Sequence, residues 1–516
     1  MLNVNHFIGF TFYINLPLSP MSLIRKLAGQ TMVYGIGHIL GKVLYFLLLS
    51  SFLTYELKTT KSFGIYSELY AYASLLVVLF SYRIDTAFFR FGSKKDNLEK
   101  AYSSALIPLL ATTAIVVVIG LWLAPSIAKL LRYDSFVYYM QWFVWIIAFD
   151  VLLLLPFARL RLEEKPKTFV IYRLINIALT IVFVLFFLKA VPWLIRSGYP
   201  SFEQLLFFED QVDYVFFSNL IVSGLMLLIM SPILLKANVR VADLKVWKKM
   251  VWYAAPLIVV GIANSINQFF AVPLQHFLLG EGNDNNLTQA GIYAGPQKIA
   301  ALIGLVTTAF NYAAEPFFFR HAADRSDRTV YGDVAKAFTI VIGFIILCML
   351  FYLDILKHLI DVQKYGEGFV IVPILLFAYF FLGLYYNISI WYKLADKTYW
   401  GAIISIIGVV VTLTLSFSLL STYGYIVSAW AALACFAVMC SIAYVVGQVH
   451  YKIDYPIGKI VLIMGIVLIL YLISNYFTEF GNMTFPMYLT NTALLGLYVI
   501  VIWFLEKEFI KTKILS

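Results

Sequence analysis

The chain has 516 residues, of which 62% are hydrophobic and only 13% are charged. Soluble globular domains carry about 25% charged residues, so this composition excludes a protein whose main solvent is water. The formal net charge of +10 could suggest a nucleic-acid partner. The positions of the basic residues argue instead for a membrane topology, as shown below.

Apolar windows long enough to cross a bilayer recur along nearly the whole sequence. A membrane helix needs about 20 mostly apolar residues, and continuous rather than alternating windows favour helices over strands. The windows lie at about 31–54, 63–89, 101–124, 137–157, 169–188, 212–235, 250–278, 291–316, 335–354, 370–392, 400–420, 423–446, 457–474 and 488–505. The sequence therefore predicts an all-α polytopic membrane protein with about 14 transmembrane helices.

The basic residues outside these windows fall mainly on one side of the membrane. If the segment before the first helix is cytoplasmic, 26 Lys and Arg residues are cytoplasmic and eight are outside. Such an excess is typical of cytoplasmic loops, so we predict a multi-pass membrane protein with both termini in the cytoplasm. Residues 1–20 precede Met21 and are predicted to be an N-terminal extension. Either the start codon is mis-called and translation begins at Met21, or this extension lies at the membrane interface.

An internal repeat relates residues 34–66 to residues 260–293. Each copy begins with a Gly-Ile step, crosses the membrane, makes a polar outer turn and re-enters at Gly-Ile-Tyr, residues 64–66 and 291–293. The copies start six helices apart, so they share one orientation. The repeat predicts an N-lobe of helices 1–6 (21–235), a cytoplasmic linker (236–249) and a C-lobe of helices 7–12 (250–446). Residues 447–516 add helices 13 and 14 and a cytoplasmic tail.

Polar residues occupy matching places in the two repeat copies. Lys42 follows His38 by four residues, so the two share one helix face. The aligned positions in the second copy are Asn264 and Gln268, and Asn267 adds a third amide. These residues are candidate substrate ligands in a wet cavity between the lobes. The alternative is ordinary hydrogen bonding between membrane helices.

Further ionisable residues fall inside predicted helices. Each costs at least about 2.5–3.5 kcal/mol in hydrocarbon, so each needs a physical reason. Arg83 and Lys298 are candidate ligands of an anionic substrate, with snorkelling to the membrane surface as the alternative. Asp85, Asp150 and Glu68 are candidate ion-coupling residues, or partners of neighbouring helices. No cysteine spacing suggests a metal site, and the sequence predicts no cofactor and no catalytic residue.

Three stretches carry a family resemblance: FGIYSELYAYASLLVVLF (63–80), DTAFFRF (85–91) and AGIYAGPQKIAALIGLVTTAFNYAAEPFFF (290–319). With the 6+6+2 helix plan, they resemble the polysaccharide-transporter (Wzx-like) branch of the multidrug/oligosaccharidyl-lipid/polysaccharide flippase superfamily over about residues 21–504. The resemblance implies a flippase, not an enzyme, that turns an undecaprenyl-diphosphate-linked glycan from the inner to the outer leaflet. It also implies cavity cations on helices 1, 2 and 8, here Lys42, Arg83 and Lys298.

Other functions stay open at this stage. A cation-coupled multidrug exporter of the same fold would use buried carboxylates. A lipid II flippase is less favoured, because helix 1 offers one lysine and His38 where relatives have several arginines. A membrane glycosyltransferase or O-antigen polymerase would need a catalytic outer loop, and residues 189–211 show no such pattern. The expected partners are a lipid-linked glycan and membrane lipids, with a polysaccharide polymerase and glycosyltransferases as candidates. No nucleic acid is expected, and the chain should be a monomer.

The topology can be tested by thiol labelling. In a variant without the three native cysteines, Lys245→Cys in the linker should react with an impermeant thiol reagent only after the membrane is opened. Lys129→Cys, predicted to lie outside, should react in intact cells. Labelling of Lys245→Cys from the outer side would overturn the topology.

Overall fold

The computed structural model describes residues 51–93, 97–322, 328–395, 397–477 and 484–509. Within these ranges every regular element is a helix, which confirms the predicted all-α class. The main helices are α1 Ser51–Glu56, α2 Thr60–Ser81, α3 Leu98–Leu130, α4 Val137–Leu162, α5 Pro166–Leu185, α6 Gln211–Ile229, α7 Leu244–Phe269, α8 Asn283–Ala322, α9 Thr329–Phe351, α10 Ile371–Ile388, α11 Tyr399–Tyr423, α12 Ile426–His450, α13 Ile457–Phe477 and α14 Phe485–Phe509.

Twelve of the described helices are long and apolar enough to cross a membrane. The 40-residue α8 is not among them, because polar residues such as Gln297 and Lys298 lower its mean hydropathy. The predicted first helix lies mostly outside the described residues, which include only its end as α1. The structure therefore shows a polytopic helical protein, and the predicted count of 14 spans is not confirmed.

Polar side chains define where several helices begin. The side chains of Thr59, Asp210 and Asp243 accept hydrogen bonds from the first backbone N–H groups of α2, α6 and α7. These donors have no partner within the helix, and a capping side chain satisfies one of them. Each of the three residues stands between apolar windows, so local chemistry alone places these helix starts.

The helices pack as two groups that meet along α2, α7 and α8. In the first group α4 packs against α2, α3 and α6, and α5 packs against α6. In the second group α12 packs against α10 and α11, α8 against α10, and α7 against α11. We keep the names N-lobe and C-lobe for residues 21–235 and 250–446. Between the lobes, α2 contacts both α7 and α8.

An ion pair and hydrogen bonds join the N-terminus of α7 and the preceding linker to α3 of the N-lobe. The ammonium of Lys100 lies 3.0 Å from the carboxylate of Asp243. The backbone N–H of Asp243 donates to the hydroxyl of Ser104 at 2.8 Å, and that of Asn238 donates to Ser103 at 2.9 Å. The hydrogen bond from Lys100 holds the pKa of the Asp243 carboxyl below its ordinary value. The linker between the lobes is therefore bound to the N-lobe.

The last two helices are attached to α9. The buried carboxylate of Glu506 accepts hydrogen bonds from Lys336 of α9 at 2.8 Å and from Lys459 of α13 at 2.7 Å. Farther along α14, the hydroxyl of Tyr498 donates to the carbonyl of Ile340 at 2.8 Å. Ionic and neutral hydrogen bonds thus join α14 to α9 at separate points along its length.

Glu506→Ala should lower the melting temperature of the purified protein. The substitution leaves two ammonium groups close together without the carboxylate between them, and breaking a buried ion pair by removing one partner costs roughly 3–5 kcal/mol. Lys507→Ala is the matched control, because Lys507 is exposed on the next residue of the same helix. Equal melting temperatures for the two variants would contradict this role of Glu506.

Candidate functional site

α2 and α8 touch backbone to backbone at the end of the lobe interface that the topology predicts to be outer. A Cβ atom on Gly64 would lie 2.2 Å from the carbonyl oxygen of Leu287, and one on Gly291 would lie 1.9 Å from that of Thr60. Only glycine fits at such distances, and glycine is the residue that lets membrane helices approach closely. Both glycines begin the Gly-Ile-Tyr steps of the repeat. The two Gly-Ile-Tyr steps therefore meet, and they close this end of the interface.

A buried ion pair lies one helical turn from this contact. The side chains of Glu68 on α2 and His276, in the short helix Ala271–Leu278, are both 0% exposed. The Nδ1 atom of His276 lies 2.8 Å from each carboxylate oxygen. The hydroxyls of Tyr72 and Tyr133 donate to the same carboxylate at 2.9 and 2.6 Å. One hydrogen-bonded group therefore spans the two lobes.

The imidazole of His276 is held on its other side by the first residue of α8. Its Nε2 atom lies 2.5 Å from the Oδ1 atom of Asn283, whose Nδ2 donates to the backbone carbonyl of Arg132 at 3.2 Å. Closer to the surface, Lys61 and Asp284 form a second pair between the lobes at 2.7 Å, with 34% and 73% of their side chains exposed. Sequence reasoning identified Glu68 but missed His276, whose only signal was a histidine within an apolar window.

Lys298 lies on the face of α8 that is turned toward α2. It follows Gly291 by seven residues, which is nearly two full turns, so the two residues share a face about 10 Å apart along the helix. The Lys298 side chain is half-buried and forms no ion pair with any residue in the described part of the chain. The structure therefore places one uncompensated cation on the C-lobe side of the interface.

The break after α2 places Arg83 on the N-lobe side. Tyr82 and Arg83 have φ angles of 38° and 53°, a left-handed conformation that costs non-glycine residues roughly 1–3 kcal/mol each. A Cβ atom on Gly261 of α7 would lie 3.7 Å from the Cδ atom of Arg83. The Nε atom of Arg83 and the Oδ1 atom of Asp85 are buried without hydrogen-bond partners among the described residues. These two buried polar atoms therefore remain without a hydrogen-bond partner in the described part of the chain.

Two of the three predicted amides of α7 share one cavity. Asn267 and Gln268 both border a cavity of about 20 Å³ that is lined by C-lobe residues, and Gln268 lies beside the hydroxyl of Tyr386. Asn267 also donates to the carbonyl of Ser405 at 3.1 Å. Asn264 is half-buried. The substrate role of all three stays a prediction.

Asp150 lies inside the N-lobe, away from the α2–α8 contact. Its Oδ1 atom accepts a hydrogen bond from the hydroxyl of Ser223 on α6 at 3.0 Å. The guanidinium of Arg173 on α5 packs over the ring of Phe157 at 4.3 Å and interacts electrostatically with Asp150. This arrangement satisfies Asp150 within its lobe, and an ion-coupling role stays a prediction. Lys42 and His38 lie outside the described residues.

The described chain is a bundle of long apolar helices in two groups with polar residues along their interface, which is the architecture of a polytopic membrane protein. This fold is shared with solved structures of membrane transporters, among them members of the multidrug/oligosaccharidyl-lipid/polysaccharide flippase (MOP) superfamily. A structure of the lipid II flippase MurJ in an inward closed conformation superposes with a TM-score of 0.70, at 14% identity, over 93% of this chain and 100% of that one. These structural neighbours, MurJ and the MATE proteins below, are transporters and not enzymes.

An inward-facing multidrug resistance MATE family transporter of the same superfamily gives a TM-score of 0.63, at 12% identity, over 78% of this chain and 94% of that one. An outward-facing MATE structure gives 0.53, at 14% identity, over 81% and 95%. No family model and no curated protein matches the sequence. At these identities the likeness concerns the fold alone.

Gly291→Ala should prevent complete closure of the outer end. The added methyl group would meet the carbonyl of Thr60 at 1.9 Å, so α2 and α8 must separate. In a background without native cysteines, Ser67→Cys on α2 should then react faster with an impermeant thiol reagent added from outside. Gly304→Ala is the control on the same helix, because its Cβ meets nothing within 4 Å. Equal labelling rates in both variants would contradict the closed contact.

Proposed function

We propose that the chain is a flippase that moves an undecaprenyl-diphosphate-linked oligosaccharide or polysaccharide unit from the inner to the outer leaflet of a bacterial cytoplasmic membrane. The observation that carries this proposal is the pair of cations, Arg83 and Lys298, at the interface of the two lobes. Neither forms an ion pair within the described residues. In the proposed mechanism the lobes rock against each other, and the site between them opens to each side in turn.

A diphosphate suits these cations in charge and in hydrogen bonding. An ammonium and a guanidinium both donate charge-assisted hydrogen bonds to phosphate oxygens, and such bonds are about twice as strong as neutral ones. The low dielectric of a closed cleft strengthens them further. The proposal includes Lys42 as a third cation, with His38, Asn264, Asn267 and Gln268 as neutral ligands.

The polyprenyl tail and the sugars need different surroundings. The tail would stay in the bilayer beside the cleft, while the polar head group crosses between the lobes. The resemblance of residues 63–91 and 290–319 to the Wzx-like branch supports a glycan repeat unit as the head group. A polysaccharide polymerase and glycosyltransferases are then the proposed partners, and a monomer with both termini in the cytoplasm is the proposed unit.

Two other substrate classes are compatible with the same fold. The likeness to MurJ keeps lipid II as a candidate. The likeness to MATE transporters keeps an organic cation as a candidate, with Asp85, Asp150 or Glu68 as the coupling residue. The hydrogen bonds described above engage two of these carboxylates, Asp150 with Ser223 and Glu68 with His276. Arg83 and Lys298, which form no ion pair within the described residues, would repel a cationic drug. We therefore favour an anionic lipid as the substrate.

Lys298→Ala should impair translocation without preventing insertion. Loss of one hydrogen bond to a charged group costs about 1.5–3 kcal/mol, which is roughly one to two decades in affinity. The measurement is flipping of purified undecaprenyl-diphosphate oligosaccharide in proteoliposomes, together with binding of undecaprenyl diphosphate to the detergent-solubilised protein. Lys42→Ala should behave in the same way, and Lys298→Arg should retain most activity.

Lys129→Ala is the matched control, since it removes one exposed positive charge at the outer end of α3. It should flip at the wild-type rate. A Lys42→Ala, Lys298→Ala double variant that flips normally would overturn the diphosphate contact. Flipping of lipid II but not of the oligosaccharide would assign the lipid II function. Efflux of ethidium that depends on Asp85 or Asp150 would assign the exporter.

A further inference from the structure

The hydrogen bonds around His276 specify where its protons are. The Nδ2 group of Asn283 donates to the carbonyl of Arg132, so its Oδ1 atom is the one that faces the imidazole and it must accept from Nε2. The Nδ1 atom faces both oxygens of Glu68. Because two tyrosine hydroxyls also donate to that carboxylate, the arrangement is that of an ionised Glu68 with a doubly protonated His276.

This charged pair has no access to water in the closed state. Both side chains are 0% exposed, and a buried charge is stable only when its partner and its hydrogen bonds are complete. Glu68 belongs to the N-lobe and His276 to the C-lobe, so any movement that separates α2 from the α7–α8 turn breaks the pair. Opening of the outer end therefore necessarily separates His276 from Glu68.

We propose that Glu68 and His276 form a proton-binding site across the lobe interface, which holds one proton while the outer end is closed and releases it to the outside on opening. The inference rests on the proposed alternating access of the two lobes. On opening, an N–H bond of the imidazolium breaks, the electron pair stays on the ring nitrogen, and the proton goes to water. Glu68 remains a hydrated carboxylate.

The direction of the pH dependence follows from linkage. When the pair separates, the imidazole of His276 loses the carboxylate and the Asn283 oxygen that its two nitrogens face, so the open form holds the proton less tightly than the closed form. Free histidine side chains titrate near pH ~6.5. The closed form binds more protons, and it is therefore favoured as the pH falls toward ~6.5 and disfavoured as the pH rises. The ratio of closed to open molecules should change by up to about tenfold per pH unit in this window.

Other titratable groups lie on the elements around the pair, and of these Tyr72 and Tyr133 contact it directly. On α2 and its N-terminus these are Tyr72 and Lys61. Between α3 and α4, and on α4, they are Arg132, Tyr133, Asp134 and Tyr139. Before α8 and in its first turn they are Glu281 and Asp284. A free lysine, arginine, tyrosine, aspartate or glutamate titrates well outside pH 6.5–8.5. Another histidine on the outer side, His358, is exposed and serves as a control.

The test measures the distance between the outer ends of the two lobes as a function of pH. Spin labels are attached to Lys58→Cys in the N-lobe and Asn285→Cys in the first turn of α8, both exposed positions, in the full-length chain without native cysteines. Pulsed electron paramagnetic resonance in nanodiscs is recorded from pH 6.0 to 8.5. We expect the short-distance population to fall with rising pH, with a slope of about fivefold to tenfold per unit above pH 7.

Variants separate this site from other titrating groups. The Glu68→Gln, His276→Gln double variant replaces the ion pair by neutral amides and should show a flat pH profile. His276→Lys keeps a cation beside Glu68 and should stay closed throughout the range. His358→Gln and Lys61→Gln should retain the wild-type slope, since one removes an exposed histidine and the other an exposed ion pair. If the double variant does not insert, the wild-type profile and His276→Lys still decide the question.

Two results would overturn the proton site: a wild-type distance distribution that is the same at pH 6.0 and 8.5, or a double variant that keeps the wild-type slope. The flipping assay in proteoliposomes is scored separately. Labels that move with pH in a protein that flips no glycolipid would refute the proposed function and leave the proton site standing. Flipping by a protein whose outer distance does not change with pH would refute the proton site and leave the proposed function standing.

Discussion

The direct backbone contact between α2 and α8 governs one end of the interface between the lobes. Gly64 and Gly291 have no side chain, so the helices approach until backbone atoms touch, at distances where a Cβ atom could not fit. This approach removes water from the neighbouring turn, where Glu68 and His276 lie. A carboxylate and an imidazole in such a place must satisfy each other, because a lone buried charge is far more costly than a paired one. The glycines thus create the conditions under which the inter-lobe ion pair forms.

α2 is the N-lobe helix that meets both α7 and α8, and its two ends behave differently. The N-terminal end of α2 is held by close packing and by a buried ion pair. The other end breaks at Tyr82 and Arg83, both in a left-handed conformation, and the indole of Trp247 on α7 donates to the hydroxyl of Tyr82 at 3.3 Å. Strained residues of this kind persist only where the surrounding contacts impose them, and they often lie where a structure changes shape. A helix that is locked at one end and strained at the other suits a protein whose lobes separate alternately.

The sequence predicted much of the fold because membrane helices need long apolar windows, and nearly all windows fall on observed helices. The site was harder to predict, since a helix that is apolar all round does not show which face meets which neighbour. Asn264, Asn267 and Gln268 looked like one polar stripe, yet Asn267 bonds to Ser405 inside the C-lobe. Glu68 was recognised as costly in hydrocarbon, but its partner lies 208 residues away. The repeat identified Gly64 and Gly291 as equivalent, and only the folded chain shows that they touch.

The buried and half-buried cations differ in whether a carboxylate of the described chain neutralises them. Lys336, Arg159 and Lys357 are buried, and each has a carboxylate beside it, from Glu506, from Glu99 and Glu163, and from Asp354. Each of these cations is neutralised by the chain itself, as the cost of desolvation requires. Lys298 and Arg83 differ, since no carboxylate of the described chain pairs with them and both lie at the lobe interface. The low dielectric that makes an uncompensated cation costly in an empty cleft also strengthens its attraction for an entering anion. A diphosphate head group would supply the missing negative charge, and this complementarity is the physical reason to expect an anionic lipid between the lobes.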